Sequence, residues 1–152
     1  MLKRLCVLAL PLATAACSGN SAPTAPTQAS ITLTVLPNPV TATVCSPPCV
    51  AANGNSYQFR ATGTLTVQET AGLASNIDSI TSGILSYTSA EITQRSGTSR
   101  VAAKGTLIFP LGNLYGLATM PNASRSVVFP ITVELTDDRG NHLSSVTQWA
   151  AN

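Results

Sequence analysis

Tyr57-Gln58-Phe59-Arg60-Ala61-Thr62-Gly63-Thr64-Leu65-Thr66-Val67-Gln68 is the stretch on which the fold turns. Tyr57, Phe59, Ala61, Leu65 and Val67 share one parity. Gln58, Arg60, Thr62, Thr64, Thr66 and Gln68 hold the other. Successive side chains of an extended chain point to opposite faces, so this segment is a strand with one face on a core and one in water. A half-solvated strand of this kind belongs to an antiparallel sheet rather than to a parallel one buried on both faces.

The same period recurs on both sides of it. Ile31, Leu33 and Val35 alternate with threonines, and so do Val40, Ala42 and Val44. Further candidate strands run over 84–92, 101–109, 127–135 and 143–149, with Ile77 and Ile80 in a short strand or a turn. Pro37-Asn38-Pro39 divides the first run, because proline cannot donate to a ladder. Asn53-Gly54-Asn55, Ser96-Gly97-Thr98 and Asp138-Arg139-Gly140-Asn141 read as hairpin turns. No convincing apolar stripe of helical period is present; threonine, serine and valine are abundant, and leucine, glutamate and lysine, the usual helix builders, are thin. About seven short strands within residues 31–152 predict an all-β, antiparallel two-sheet sandwich.

The chain ahead of that domain reads differently. Lys3 and Arg4 precede an apolar run, Leu5 to Leu12, and small residues Ala13 to Ala16 follow. Residues 1–16 therefore read as an export signal, too short to span a bilayer. Thr14-Ala15-Ala16-Cys17 resembles the lipobox of bacterial lipoproteins, although Thr14 stands where leucine is usual. The resemblance implies that Cys17 is lipidated and becomes the mature N-terminus, which ties the protein to a membrane more firmly than one acyl chain would. Ser18 after the cysteine resembles lipoproteins sorted to an outer membrane. Residues 17–30 are polar, carry Pro23 and Pro26, and read as a flexible linker.

Without Lys3 and Arg4 the chain has six basic and six acidic residues. A neutral chain with scattered charge has no footprint for nucleic acid and no basic cluster for acidic lipid headgroups.

Phe129-Pro130-Ile131-Thr132-Val133-Glu134-Leu135, followed by Thr136-Asp137-Asp138-Arg139-Gly140-Asn141, resembles the last hairpin of bacterial immunoglobulin-like domains, and Tyr57 to Val67 resembles their second strand. The resemblance implies an Ig-like sandwich over residues 31–152. The antibody pattern of two cysteines bracketing a tryptophan is absent.

Few residues offer chemistry. Cys45-Ser46-Pro47-Pro48-Cys49 holds the two thiols that remain once Cys6 leaves with the signal and Cys17 takes lipid. In an oxidising compartment they are expected to pair. A redox role would favour Cys-x-x-Cys at a helix start, and zinc would need further ligands where His142 is the sole histidine. His142 has no acid–base partner at readable spacing, no serine sits in a nucleophile elbow, and the acids are dispersed. Neither an enzyme nor a cofactor is expected. Glu134, Asp137, Asp138 and Asn141 form the densest oxygen-ligand group, a weak candidate for calcium that also reads as a plain turn. Asn122-Ala123-Ser124 matches a glycosylation sequon, which is incidental behind a bacterial export signal.

Residues 111–121 are apolar, uncharged and punctuated by glycine. They read as a loop, either folded over the core or exposed as a partner-binding patch of Leu114, Tyr115 and Leu117 with Tyr115 as anchor. The expected function is a lipid-anchored, non-enzymatic module of the bacterial cell envelope that contacts a protein or a neighbouring envelope component, without a small-molecule ligand. The alternative is a carbohydrate-binding module. That would need aromatic platforms, yet of Tyr57, Phe59, Tyr87, Phe109, Tyr115, Phe129 and Trp149 only Tyr115 and Tyr87 escape core-facing parity.

Overall fold

A computed structural model describes residues 24–120 and 122–152. The export signal and Cys17 lie outside the described residues.

The quoted stretch is the spine of the first sheet, within β3 (Ser56–Glu69). One edge of β3 pairs antiparallel with β7 (Thr106–Leu117), Gln68 facing Thr106 and Tyr57 facing Leu117. The other edge is shared. β1 (Ile31–Leu36) covers its C-terminal half and β2 (Thr43–Val50) its N-terminal part. The second sheet runs β5 (Leu85–Thr88), β4 (Ser75–Ser82), β8 (Val127–Asp137), β9 (His142–Ala151), all antiparallel. The two-residue β6 (Arg100–Val101) extends the β5 edge beside Ser75 and Asn76. The fold is thus an antiparallel two-sheet β-sandwich. Among the described residues seven strands are long and two short.

The two inner faces supply the core. Ala61, Leu65 and Val67 from β3 meet Ile77 and Ile80 from β4 and Ile131, Val133 and Leu135 from β8, all essentially without exposed surface. Burying a side chain of this size contributes about 1.5–3 kcal/mol. Trp149 is fully buried, and its indole N–H donates to the Pro37 carbonyl at 2.9 Å. Room for that ring comes from Gly63, the one inward position of β3 without a side chain. A Cβ there would lie 2.9 Å from Trp149 Cζ2 and 3.0 Å from the Leu36 carbonyl oxygen.

Three expectations change. First, 84–92 is not one strand. β5 stops at Thr88, and α1 (Ser89–Ser96) begins there. Thr88 and Glu91 form a reciprocal capping box, Gly97 closes the helix in the left-handed region at φ 80°, and Ile92 is its one buried residue. Local hydrogen bonding of the helix ends outweighs the period-two pattern here. Second, 111–121 is not a loop. β7 continues through Leu117 with Leu111, Asn113 and Tyr115 turned inward. Alternation persists with its polarity inverted, a polar Asn113 inside and Leu114 half-exposed outside. Third, 101–109 is not one strand, since β6 ends at Val101 and β7 begins at Thr106. The chain just ahead of Ile31 is also tied to the sandwich. Ala29 is buried and its N–H donates to Asp137 Oδ2, while the Thr27 carbonyl accepts from Asn141 Nδ2.

A sandwich has two side seams where its sheets could splay. After Pro37-Asn38-Pro39 the chain leaves the first sheet and closes one seam. Val40 pairs parallel with Ala151, and the Asn38 side chain bonds the backbone of Gln148 and Ala150. At the other seam α1 bridges β4, β5 and β7 over its upper part. The lower part of that seam has no such cover.

Candidate functional site

The uncovered seam forms a groove of about 390 Å³. Its floor is aromatic: Tyr57 at the start of β3, Tyr115 on β7 and Phe129 on β8. Its rims are Leu114, Gly116 and Leu117 on one side and Gly83, Ile84, Val128 and Pro130 on the other. No charged side chain lines it. All three residues of the expected patch are therefore in one place, but the anchor is not exposed. Tyr115 keeps 8% of its surface. Its ring lies 5.3 Å from Phe59 and 5.5 Å from Phe129, and Phe129 lies 5.8 Å from Trp149. Its hydroxyl donates to the Arg125 carbonyl at 2.6 Å. Burial pushes the Tyr115 phenol above its usual range, against a smaller opposing pull from Arg125. Tyr115 is thus a core side chain whose flank floors the groove, and the exposed apolar surface comes from Ile84, 65% exposed, and Val128, 54% exposed.

The upper lip of the groove is set by a buried polar contact. Asn113 reaches across the seam, and its Nδ2 donates to Ser82 Oγ at 2.7 Å; both residues are buried. Gly83 follows with φ 57°, and a Cβ there would lie 3.0 Å from the Phe129 ring. Its N–H donates to the Pro130 carbonyl at 3.3 Å. This turn holds β4 to β8 at the last residue the two strands share.

The opposite end of the sandwich is polar and tightly tied. Glu69 has no exposed surface, and its two oxygens accept from the backbone N–H groups of Ser30, Ala71, Gly72 and Lys104. Burial pushes its carboxyl up, but the N–H groups of Lys104, Gly72 and Ser30 together outweigh that and hold it at about 2. Asp137 repeats the device with Ala29, Arg139 and Asn141 as donors, again at about 2 against the push of burial.

The expected calcium ligands do not converge. Asp137 is filled by N–H donors. Asp138 turns to Arg100 at 2.6 Å, Glu134 accepts from Ser144, and Asn141 presents its amide N–H rather than its oxygen to Asp137. Among the described residues no cluster of three or more metal-ligating side chains occurs. The remaining acids are likewise committed, Asp78 to Thr136 and Glu91 to the helix cap. His142 opens β9, exposed, with its Nδ1 2.9 Å from Thr136 Oγ1.

Cys45 and Cys49 form a disulfide with Cα atoms 5.4 Å apart. It pinches residues 45–49 of β2 into a bulge, since pairing with β3 breaks between Val44 and Cys49. The bulge carries Pro47 and Pro48 on an outer strand of the sheet, where missing N–H groups and irregular geometry discourage another strand from adding. All seven aromatic side chains, Tyr57, Phe59, Tyr87, Phe109, Tyr115, Phe129 and Trp149, keep 8% or less of their surface, so none offers a face to a sugar ring.

Compared with known proteins, the chain matches no family model and no curated sequence.

Proposed function

We propose that the protein is a lipid-anchored, non-enzymatic module of the bacterial cell envelope, held through Cys17 and presenting the groove at its far end to an envelope protein. What supports this reading is the placement of two features at opposite ends of the sandwich. The chain joins the domain beside Asp137 and Glu69, at the end where β1 begins. The groove lies where β3 begins and β7 ends, twelve residues along β3 from Glu69 to Tyr57, or about 40 Å at roughly 3.3 Å per residue. A module tethered at Cys17 would thus turn its apolar groove away from the membrane. A carbohydrate-binding role is less well supported, because no aromatic side chain is presented on the surface.

Fractionation tests the anchor. Cys17→Ala should move the protein from the membrane pellet to the soluble fraction. A variant that still pellets after a high-salt wash would refute the anchor. The partner is tested by crosslinking from the groove in the native envelope, with a photoreactive residue at Ile84. A discrete adduct is expected there and not from the same probe at Ser144, at the other end.

A further inference from the structure

We infer that the open seam is a strand-acceptor site: an extended, uncharged peptide segment with apolar side chains at alternate positions adds to the outer edge of β7 around Leu114. The inference rests on the proposed function and names the chemistry of the partner.

The direction of the backbone groups carries it. Among the described residues β7 is the last strand of its sheet, paired with β3. Pro110, which has no N–H, faces Thr64, and the Gly112 carbonyl is approached at 3.5 Å by the Tyr87 hydroxyl, from β5 of the other sheet. Backbone groups of alternate residues point to the same side, so the N–H and C=O of Leu114 point outward, into the groove; the alternation ends at Gly116, at φ 67°, beyond which the Ala118 N–H turns back to the Ser56 carbonyl. On the facing wall β4 has ended at Ser82, and the Pro130 carbonyl turned to Gly83 places the backbone of Val128 on the same side. The groove is therefore apolar in its side chains and polar in its backbone.

That combination selects the occupant. An alkyl chain would seal Leu114 from water and leave its N–H and C=O without partners, which is unfavourable. A peptide strand satisfies both and sends alternate side chains onto the aromatic floor. A charged segment would meet no counter-charge. A second folded copy would have to bring its own β4–β5 turn and α1, which flank its β7, into the same narrow seam.

The other edges differ. β2 carries the disulfide bulge and two prolines, β5 has four residues, and one half of β9 is covered by residues 38–42. The other half of β9 lines none of the described grooves. Among the described residues β7 joins an uncharged edge to the apolar cavity floored by Tyr57, Tyr115 and Phe129.

The test uses the full-length chain carrying Cys17→Ala, isotopically labelled, and decapeptides alternating threonine with valine, leucine or phenylalanine between terminal lysines. At least one peptide should bind and slow hydrogen exchange at the Leu114 amide about tenfold or more. Methylating the peptide nitrogens that face β7 should weaken binding about tenfold or more, as should Ile84→Asp at the rim, a position exposed enough to keep the fold. Failure of the whole panel to bind overturns the inference. So does binding without protection at Leu114, equal binding of the methylated peptide, or laurate binding that excludes the peptides. A concentration-dependent dimer abolished by Ile84→Asp would assign the edge to a second copy and also overturn it. Fractionation of the same Cys17→Ala chain reads the anchor separately, so either reading can fail alone.

Discussion

Gly63→Ala places one methyl group where the sandwich has no room for it. Glycine inside a strand normally costs about 0.5–1 kcal/mol relative to alanine. The backbone at Gly63 is not in the left-handed region, so alanine should restrict the unfolded chain and gain about 0.4–1 kcal/mol. Opposing this, the new Cβ would sit 2.9 Å from Trp149 Cζ2 and 3.0 Å from the Leu36 carbonyl. Neither neighbour yields easily. The indole is fully buried, tied to Pro37 and stacked near Phe129, and the carbonyl belongs to β1. Overpacking of this kind costs about 1–3 kcal/mol, so the clash wins and Gly63→Ala should destabilise the domain by about 0.5–2 kcal/mol. Urea denaturation followed by far-ultraviolet circular dichroism measures it, repeated in a Trp149→Phe background. There the smaller ring vacates the contact, and Gly63→Ala should become neutral or stabilising. A neutral Gly63→Ala in the wild-type chain refutes the packing argument. A cost unchanged in the Trp149→Phe background assigns the clash to Leu36 and refutes the role given to Trp149.

Tyr115→Ser should cost about 3–5 kcal/mol in the same assay, close to Phe59→Ala, because both rings are core aromatics; a nearly neutral Tyr115→Ser would return Tyr115 to the surface. Tyr115→Phe should cost about 1 kcal/mol, the worth of the hydrogen bond to Arg125. Reducing the Cys45–Cys49 disulfide should lower stability by about 2 kcal/mol, since it closes a very short loop, and leave the circular dichroism spectrum in place; loss of that spectrum would show that the core depends on β2. Glu69 and Asp137 titrate below their ordinary values when folded, so their contribution is complete above about pH 5 and is lost as the pH falls toward 2. Glu69→Gln should flatten that acid limb and cost about 3 kcal/mol at neutral pH, because an amide nitrogen would face backbone N–H donors. An unchanged acid limb would refute the assignment.

Strands with strict alternation were legible in the sequence because one side of each faces the core. β1, β3, β8 and β9 are of this kind. The inverted run from Leu111 to Leu117 was not. Asn113 is inside because Ser82 waits across the seam, and that partner is 31 residues away. A local pattern cannot supply it. Thr88 and Glu91 did carry a readable signal, the spacing of a capping box ahead of Ile92, but the alternating apolar residues around it masked eight residues of helix. Asp137 looked like a metal ligand for the reason that makes it a turn organiser: a carboxylate near several short polar residues finds donors either way. Leu114, Tyr115 and Leu117 stand close together in the sequence, and all three line the groove. Their division into rim and floor depended on the neighbouring sheet, which supplies Phe129 and Val128.

The clamp around Ala29 also has a mechanical meaning. A molecule held by its first residues and gripped at the groove is pulled along the length of its strands. β1 lies on that line, antiparallel to β3 through six matched positions from Ile31–Glu69 to Leu36–Thr64. Tension along the strand axis loads those hydrogen bonds in shear, all together, whereas a sideways pull would open them one after another like a zipper. The carboxylates of Asp137 and Glu69, bonded to Ala29 and Ser30, stand first in line and spread the force into β8 and β3 before it reaches the ladder. In a domain held and pulled that way, the two buried carboxylates would bear the load ahead of β1.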